Sequence, residues 1–283
     1  MKSGFMFKGR SSNEFGVDIQ TKNRTMLPSV KNQTYGVPNM DGDYDMTEAN
    51  EYGRAFYEDR VFEVTMHIYG DNLAELERKA AKIASWLTGK GLFKFDDMSS
   101  SYNARVISNV AFTPERHGKK ADVSVIFQSE AIGRADFNVS DGIRLKNDVL
   151  LDSNIPLDMS GYFTKQLSAG KNYIEFVNIG DFYVRPILTF DGVKNITVTY
   201  GDGKIMIEDL EKDTVINFEK CIVTNSDGDN LISKMNGKFF ELPTGVSELE
   251  IYVSEECQMK IDYTPRTIYD FDFSQTDWGD GNA

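Results

Sequence analysis

Strict alternation of apolar and polar residues, interrupted by one helical stretch, constrains this chain more than any other feature. In Val61 to Tyr69, Phe62, Val64, Met66 and Ile68 fall on one side, and Glu63, Thr65 and His67 on the other. A period of two marks a strand with one face in a core and one in water. Tyr102, Ala104, Val106, Val110 and Phe112 repeat the pattern in a second stretch, and Val123, Val125 and Phe127 in a third. Pro114 to Lys120 supplies a polar hairpin connection between those two. From Asn72 to Leu87 the period changes, and Leu73, Leu76, Ala80, Ile83 and Leu87 recur at helical spacing. Asp71 or Asn72 can cap the start, and Gly89 lies just past the end. A single amphipathic helix has to lay its stripe on a sheet, and Trp86 at the stripe's edge is expected to seal that contact.

The rest of the chain reads as strands only. These are expected at Ile187 to Phe190, Ile196 to Tyr200, Lys204 to Ile207, Val215 to Val223, Phe239 to Leu242, Leu249 to Val253 and Met259 to Tyr263. Asp191-Gly192, Gly201-Asp202-Gly203, Asp227-Gly228 and Asn236-Gly237 punctuate them as turns. Many short strands at such spacing indicate an antiparallel sandwich. The expected organisation is mainly β with one α-helix. An N-terminal domain spans 1–132 with the helix at 72–87, a β-only domain spans 133–266, and an acidic tail spans 267–283.

Residues 36–59 fit neither domain's pattern. The stretch is rich in Gly, Asp, Glu and Tyr, has no clean period, and is long for a connection inside a compact domain. An extended arm or hairpin is the reading that accommodates it. Tyr52, Arg54, Phe56 and Tyr57 sit there with no obvious core to enter, and aromatic residues mixed with Arg suit an interface between subunits. Packing within the chain is an equal alternative for them.

Two hundred and eighty-three residues suffice for two domains of ordinary size. The net charge of −13 disfavours gripping nucleic acid or anionic lipid, because both need an excess of Lys and Arg. No run approaches the ~20 apolar residues of a membrane span, and the N-terminus lacks a signal-peptide core. Cys221 and Cys257 are expected as reduced, buried thiols on strands, with their contact left open. That fits synthesis in cytoplasm.

Few residues offer chemistry of their own. His67, on a strand's polar face, and His117, on a turn, are expected to be solvated surface groups. Zinc, nucleophile-elbow and phosphate-loop motifs are missing from the sequence. The abundance of carboxylates makes chance pairs inevitable, so a glycosidase pair has no specific support. Asp41-Gly42-Asp43-Tyr44-Asp45 begins like a calcium loop, but Met46 stands at the turn glycine and Tyr52 at the closing glutamate. Both it and Asp227-Gly228-Asp229-Asn230 read better as turns. The expectation is a protein with no catalytic residues, no metal and no cofactor.

The order of the segments resembles a known family. Phe5-Met6-Phe7-Lys8-Gly9 and Ser12-Asn13-Glu14-Phe15-Gly16-Val17 resemble the opening of the distal tail proteins of long-tailed, non-contractile bacteriophages. Val37-Pro38-Asn39-Met40-Asp41-Gly42 resembles the element that follows, with Asn39 where the family has Gly; Asn also tolerates left-handed backbone. Tyr57-Glu58-Asp59-Arg60, Ala84-Ser85-Trp86-Leu87, Leu92-Phe93-Lys94-Phe95-Asp96-Asp97 and Tyr102 to Val106 continue in order. In the second half Val177-Asn178-Ile179-Gly180, Arg185-Pro186-Ile187-Leu188, Leu242-Pro243-Thr244-Gly245-Val246 and Pro265-Arg266 resemble the family's corresponding segments. Val246 and Ser247 depart from it where an Asn is expected.

The resemblance implies a structural protein of the virion tail tip, assembled in the bacterial host. Six copies of a sandwich- or barrel-like N-terminal domain would close into a ring around the channel. They would join the tail tube to the tail-associated hub protein of the baseplate, with DNA as passing cargo and no membrane contact. The C-terminal domain would be a galectin-like antiparallel sandwich supporting receptor-binding proteins. A lectin-like sandwich also leaves open a carbohydrate-binding virion protein that attaches to the host cell surface. Sugars would then stack on exposed aromatics, for which Tyr173, Phe182, Tyr183 and Tyr252 are the candidates, although sandwich folds do not by themselves imply function.

Overall fold

The computed structural model describes residues 4–115, 119–139, 163–211 and 213–270. The chain divides into two compact units, Met1–Gly133 and Arg134–Ala283. His117 and residues 271–283 of the acidic tail lie outside the described residues.

The first unit opens with a tight hairpin, β1 (Phe5–Phe7) and β2 (Arg10–Ser11), in which Phe7 faces Arg10. Lys8 and Gly9 both have positive φ, 53° and 75°, the backbone a two-residue hairpin turn requires. A short 3-10 turn, Ser12–Phe15, follows, capped by Ser11 through the backbone N–H of Asn13 and ended by Gly16 at φ 61°. Then come β3 (Asp18–Arg24), the short pair β4 (Thr34–Gly36) and β5 (Asp43–Asp45), and the long β6 (Arg60–Tyr69). After helix α1 (Leu73–Trp86), strands β7 (Lys90–Phe95), β8 (Ser100–Val106), β9 (Ala111–Pro114) and β10 (Lys120–Ser129) complete the unit.

All but β4 and β5 join one antiparallel sheet in the order β2-β1-β7-β8-β10-β6-β3, with β9 also on β10. That sheet is strongly curled. Phe62 on β6 stacks on Phe93 of β7 at 5.4 Å, although β8 and β10 lie between their strands. Three strand spacings in a flat sheet would hold them ~14 Å apart. Phe5 and Phe127, also three strands apart, meet at 5.5 Å. Phe5, Phe7, Phe62, Phe93, Phe95, Tyr102 and Phe127 thus form one buried aromatic core. Each such ring removes enough apolar surface to contribute about 1.5–3 kcal/mol.

Helix α1 closes that core. The Asn72 side chain accepts from the Glu75 N–H at 3.0 Å, while the Glu75 carboxylate accepts from the Asp71 N–H at 2.9 Å. Leu76, Ile83, Trp86 and Leu87 are buried; Leu73, expected in the same stripe, is 45% exposed because it starts the first turn. Trp86 stacks on Phe5 at 5.4 Å and Phe15 at 4.6 Å, and its indole N–H donates to the Phe7 carbonyl at 2.9 Å. The stretch read as one strand over 102–112 is two, β8 and β9. The chain leaves the ladder at 107–110 and rejoins the same partner, β10.

The second unit is a sandwich. Its strands are β11 (Gly133–Ala135), which begins in the first unit's last residue, β12 (Thr164–Leu167), β13 (Gly170–Asn178), β14 (Ile187–Phe190), β15 (Ile196–Tyr200) and β16 (Gly203–Ile207). They continue with β17 (Thr214–Asn217), β18 (Ile222–Asn225), β19 (Met235–Gly237), β20 (Gly245–Val253), β21 (Cys257–Asp262) and β22 (Arg266–Thr267). One sheet runs β12-β21-β14-β17-β18 and the other β13-β20-β15-β16-β19. Inward residues of both sheets, among them Phe176, Leu188, Phe190, Val198, Ile205, Ile216, Ile251 and Met259, join Phe218 from the turn after β17 in a single core.

Two expected strands differ from the reading. Val215 to Val223 is a tight hairpin, β17 to β18, turning at Phe218–Cys221. Cys221 carries that turn with φ 52° and is exposed, so it is neither a buried thiol nor a strand residue. Cys257, at the start of β21, is buried, and both cysteines are free. Phe239 to Leu242 forms only an isolated bridge, Leu242 to Val184. Conversely β13, a nine-residue strand paired along its whole length with β20, was not expected.

Candidate assembly surfaces

Two surfaces carry the residues the sequence singled out. The first is the segment from Met26 to Tyr57. It leaves β3, runs out through β4, turns at the tip and returns through β5. Thr34 faces Asp45, Tyr35 faces Tyr44 and Gly36 faces Asp43. Asn39 sits at φ 65° and Gly42 at φ 80°, so the left-handed backbone the tip needs is present at both. Nearer the root, Val30 bridges Tyr57, the Lys31 N–H donates to the Phe56 carbonyl at 2.7 Å, and the Glu58 N–H donates to the Ser29 carbonyl at 2.8 Å.

This hairpin has no core of its own. Every residue of β4 and β5 is exposed. Of the sixteen large apolar side chains exposed among the described residues, seven lie here: Met26, Leu27, Tyr35, Val37, Met40, Tyr44 and Phe56. A two-stranded hairpin alone is marginal in water, and apolar side chains gathered on one exposed segment mark an interaction surface.

The loop 47–56 adds an ordered cluster. The Arg54 guanidinium lies 4.6 Å from the Phe56 ring centre and 5.7 Å from that of Tyr52, while the two rings meet edge to face at 6.2 Å. Asn50 fixes the loop, donating to the Arg54 carbonyl at 2.7 Å and accepting from the Tyr52 N–H at 3.0 Å. Three of the four sequence candidates therefore touch one another. Tyr57 stands apart at the root bridge. The Asp41 to Asp45 stretch is the tip and second strand of this hairpin, and no cluster of metal-ligating side chains occurs among the described residues. Asp45 instead accepts from the Thr47 N–H at 2.8 Å, and hydrogen bonds from the Thr47 side chain and backbone hold its carboxyl below the usual range.

The second surface is the outer face of the β13–β20 sheet. Lys171 faces Tyr252 and Tyr173 faces Glu250 across the ladder, which places Tyr173 and Tyr252 on one diagonal. Both are exposed, at 62% and 42%. Lys171 Nζ pairs with Glu250 at 2.8 Å, and that hydrogen bond holds the Glu250 carboxyl below its usual range and the Lys171 ammonium above its own. The other two aromatic candidates are elsewhere. Phe182 is 8% exposed beneath the Arg266 guanidinium, 5.5 Å from its ring centre, and Tyr183 is half-buried against Phe182 at 5.8 Å. Phe182 is part of the packing, so it cannot offer a face to a sugar.

His67 is not the freely solvated group expected. It is largely covered, and its Nδ1 lies 2.6 Å from the Asp122 carboxylate on the neighbouring strand. Sequence alternation assigns its face correctly but cannot show the partner on the adjacent strand.

No model of a protein family matches the chain, and no curated protein does. Solved structures do. The Dit (gp 19.1) protein of SPP1, described as a paradigm of the hub adsorption apparatus in phages infecting Gram-positive hosts, superposes with a TM-score of 0.64. It is 11% identical, over 93% of this chain and 98% of that one. A chain of the phage P2 baseplate in its activated conformation with Ca aligns at 0.39, 10% identity, over 93% and 98%. Its counterpart with Sr aligns at 0.41, 9% identity, over 92% and 97%. The fold is that of the SPP1 Dit protein, mainly β in two parts, with α1 the one α-helical element among the described residues.

Proposed function

We propose that this protein, which has the SPP1 Dit fold, is a non-enzymatic structural subunit of a phage tail tip. In this reading six copies close through their first units into a ring. The ring joins the tail tube to the tail-associated hub protein, and the second units support receptor-binding proteins. The observation that carries the reading is the hairpin from Met26 to Tyr57, whose apolar side chains stand in water in the isolated chain. A ring needs contacts between two different patches that close on themselves. A projecting hairpin that lies on the next copy supplies one patch without requiring a broad apolar face. The pre-packed Tyr52, Arg54 and Phe56 cluster suits the centre of such a contact, where aromatic residues and Arg concentrate binding energy.

Native mass spectrometry of the full chain, with negative-stain microscopy, tests this. The expected result is a six-fold mass and an annulus. A species that stays monomeric at high concentration, and in the particle that contains it, overturns the proposal. A second reading, attachment to host-surface sugar through the second unit, is favoured by the exposed Tyr173 and Tyr252 diagonal alone. Glycan-array binding that Tyr173→Ala abolishes would establish it, and an array without signal would dismiss it.

A further inference from the structure

The second unit contains a cavity of about 240 Å³ lined by Arg134, Val184, Arg185, Glu219, Thr264 and Arg266. Its charge runs against that of the protein. The chain carries a net −13, yet this lining holds three guanidinium groups and one carboxylate. Glu241, nearly buried, pairs with Arg185 at 2.9 Å from beside this lining.

Each arginine is braced from the side. Arg134 pairs with Glu219 at 2.6 Å, Arg185 with Glu241, and Arg266 lies over the Phe182 ring. Positions far apart in sequence deliver them. Arg134 is on β11, Arg266 begins β22, and Arg185 follows the Val184 to Leu242 bridge. Gly180 allows one of these approaches, since a Cβ there would stand 2.5 Å from the Arg266 carbonyl oxygen. Planar guanidiniums held in fixed geometry match the oxygens of carboxylates and phosphates, and bracing lowers the ordering cost of binding. Val184 adds one apolar wall, and the Thr264 hydroxyl, hydrogen-bonded to the Asn138 side chain, adds a polar one.

We propose that this cavity is an anion-binding site that takes one oxyanion group, phosphate or carboxylate, on a short carbon stem. Its size fits a headgroup, being below the ~300–1,000 Å³ of pockets that enclose whole drug-sized ligands. Glu219 acts as an internal competitor for Arg134 and sets the affinity. Every lining residue belongs to the second unit, so this proposal does not rest on the ring.

The test follows the melting temperature of the full chain against sodium phosphate and against sodium acetate, each compared with sodium chloride at the same ionic strength. The expected result is a saturable rise with phosphate, with acetate or with both, beyond that of chloride. A response to phosphate alone assigns a tetrahedral dianion, and a response to acetate assigns a carboxylate-accepting site. Glu219 is exposed, so Glu219→Gln is expected to keep the fold, which its melting in chloride alone checks. It is expected to lower the half-saturating concentration by about tenfold, the worth of one charge-assisted hydrogen bond. Arg185→Met is expected to raise it by a similar factor. A response no larger than that of chloride, or an unchanged half-saturation in Glu219→Gln, overturns the proposal.

Discussion

The guanidinium of Arg60 reaches the backbone carbonyl of Ala131, 71 residues later, through Nε at 3.2 Å and Nη2 at 2.8 Å. Its Nη1 donates to the carbonyls of Thr25 at 2.6 Å and Met26 at 2.9 Å, and the group lies 5.1 Å from the Tyr102 ring centre. Arg60 is completely buried. One side chain thereby ties the root of the projecting hairpin to the end of the first unit.

Replacing it should therefore disturb both stability and the hairpin. Arg60→Leu removes the buried donor from three partly buried carbonyls and is expected to cost about 3 kcal/mol. Denaturant unfolding measures that loss. Hydrogen exchange should show faster exchange concentrated in residues 25–35, and uniform protection there would refute the anchoring role.

The hairpin itself should behave differently. Tyr35, Met40 and Tyr44 are exposed, so replacing all three by Ser is expected to leave the melting temperature nearly unchanged. Association should weaken at least about tenfold if these side chains are buried against a second copy. Sedimentation at several concentrations reads it, and an unchanged oligomer removes the hairpin from the interface.

Asn178 makes a compact knot in the second unit. Its Nδ2 donates to the carbonyls of Phe182 at 2.9 Å and Pro243 at 3.0 Å, and its Oδ1 accepts from the Gly180 N–H at 3.0 Å. Asn178→Ala is expected to cost about 2–3 kcal/mol because those groups are buried. Asn178→Asp should be similarly damaging, since a carboxylate cannot donate to the two carbonyls. Equilibrium unfolding of both variants checks this, and a loss within error for either contradicts it.

Alkaline stability follows from two raised acids. Burial pushes the Tyr263 phenol well above its ordinary value of 10.0, and its hydroxyl donates to the Val177 carbonyl at 2.6 Å. Burial, with the Asp191 charge, pushes the Cys257 thiol from 9.0 up to about 11. In the unfolded chain both groups lose protons at their ordinary values, while the folded chain keeps them. The unfolded state then binds fewer protons, so stability falls as pH rises above about 9, by about 1.4 kcal/mol per pH unit for each group titrating. Below pH 9 these groups contribute no pH dependence. Unfolding free energies between pH 8 and 11 should show the decline, and Cys257→Ala should make it shallower; identical slopes would be inconsistent with the buried thiol.

The two thiols should also separate by reactivity. A disulfide reagent is expected to modify Cys221 within seconds in the folded chain, and Cys257 only after unfolding. Two fast equivalents in native buffer would contradict the buried position.

Much of this architecture was legible in the residues, for a definite reason. Where one face of a strand enters a core, the period of two is forced, as in β6 and β10. The single change of period located α1, and the irregular stretch located the projecting hairpin. β13 escaped notice because Lys171, Tyr173 and Glu175 face water while Asn172 and Ile174 opposite them are only half-buried. The hairpin at Phe218–Cys221 escaped because Cys221 supplies a left-handed backbone that no glycine announces.

Local pattern, then, determined which segments are strands, where the helix lies and which segment has no core to join. These depend on neighbours a few residues away. What only the tertiary structure decided is the meaning of individual polar and aromatic side chains. Arg60 reads as an ordinary strand residue until Thr25, Met26 and Ala131 surround it. Phe182 reads as a surface aromatic until Arg266 covers it, and Arg134, Arg185 and Arg266 line one cavity only when β11, β22 and the segment after Val184 converge. Burial and charge pairing are set by contacts across dozens of residues, and hydrophobic periodicity carries no record of those.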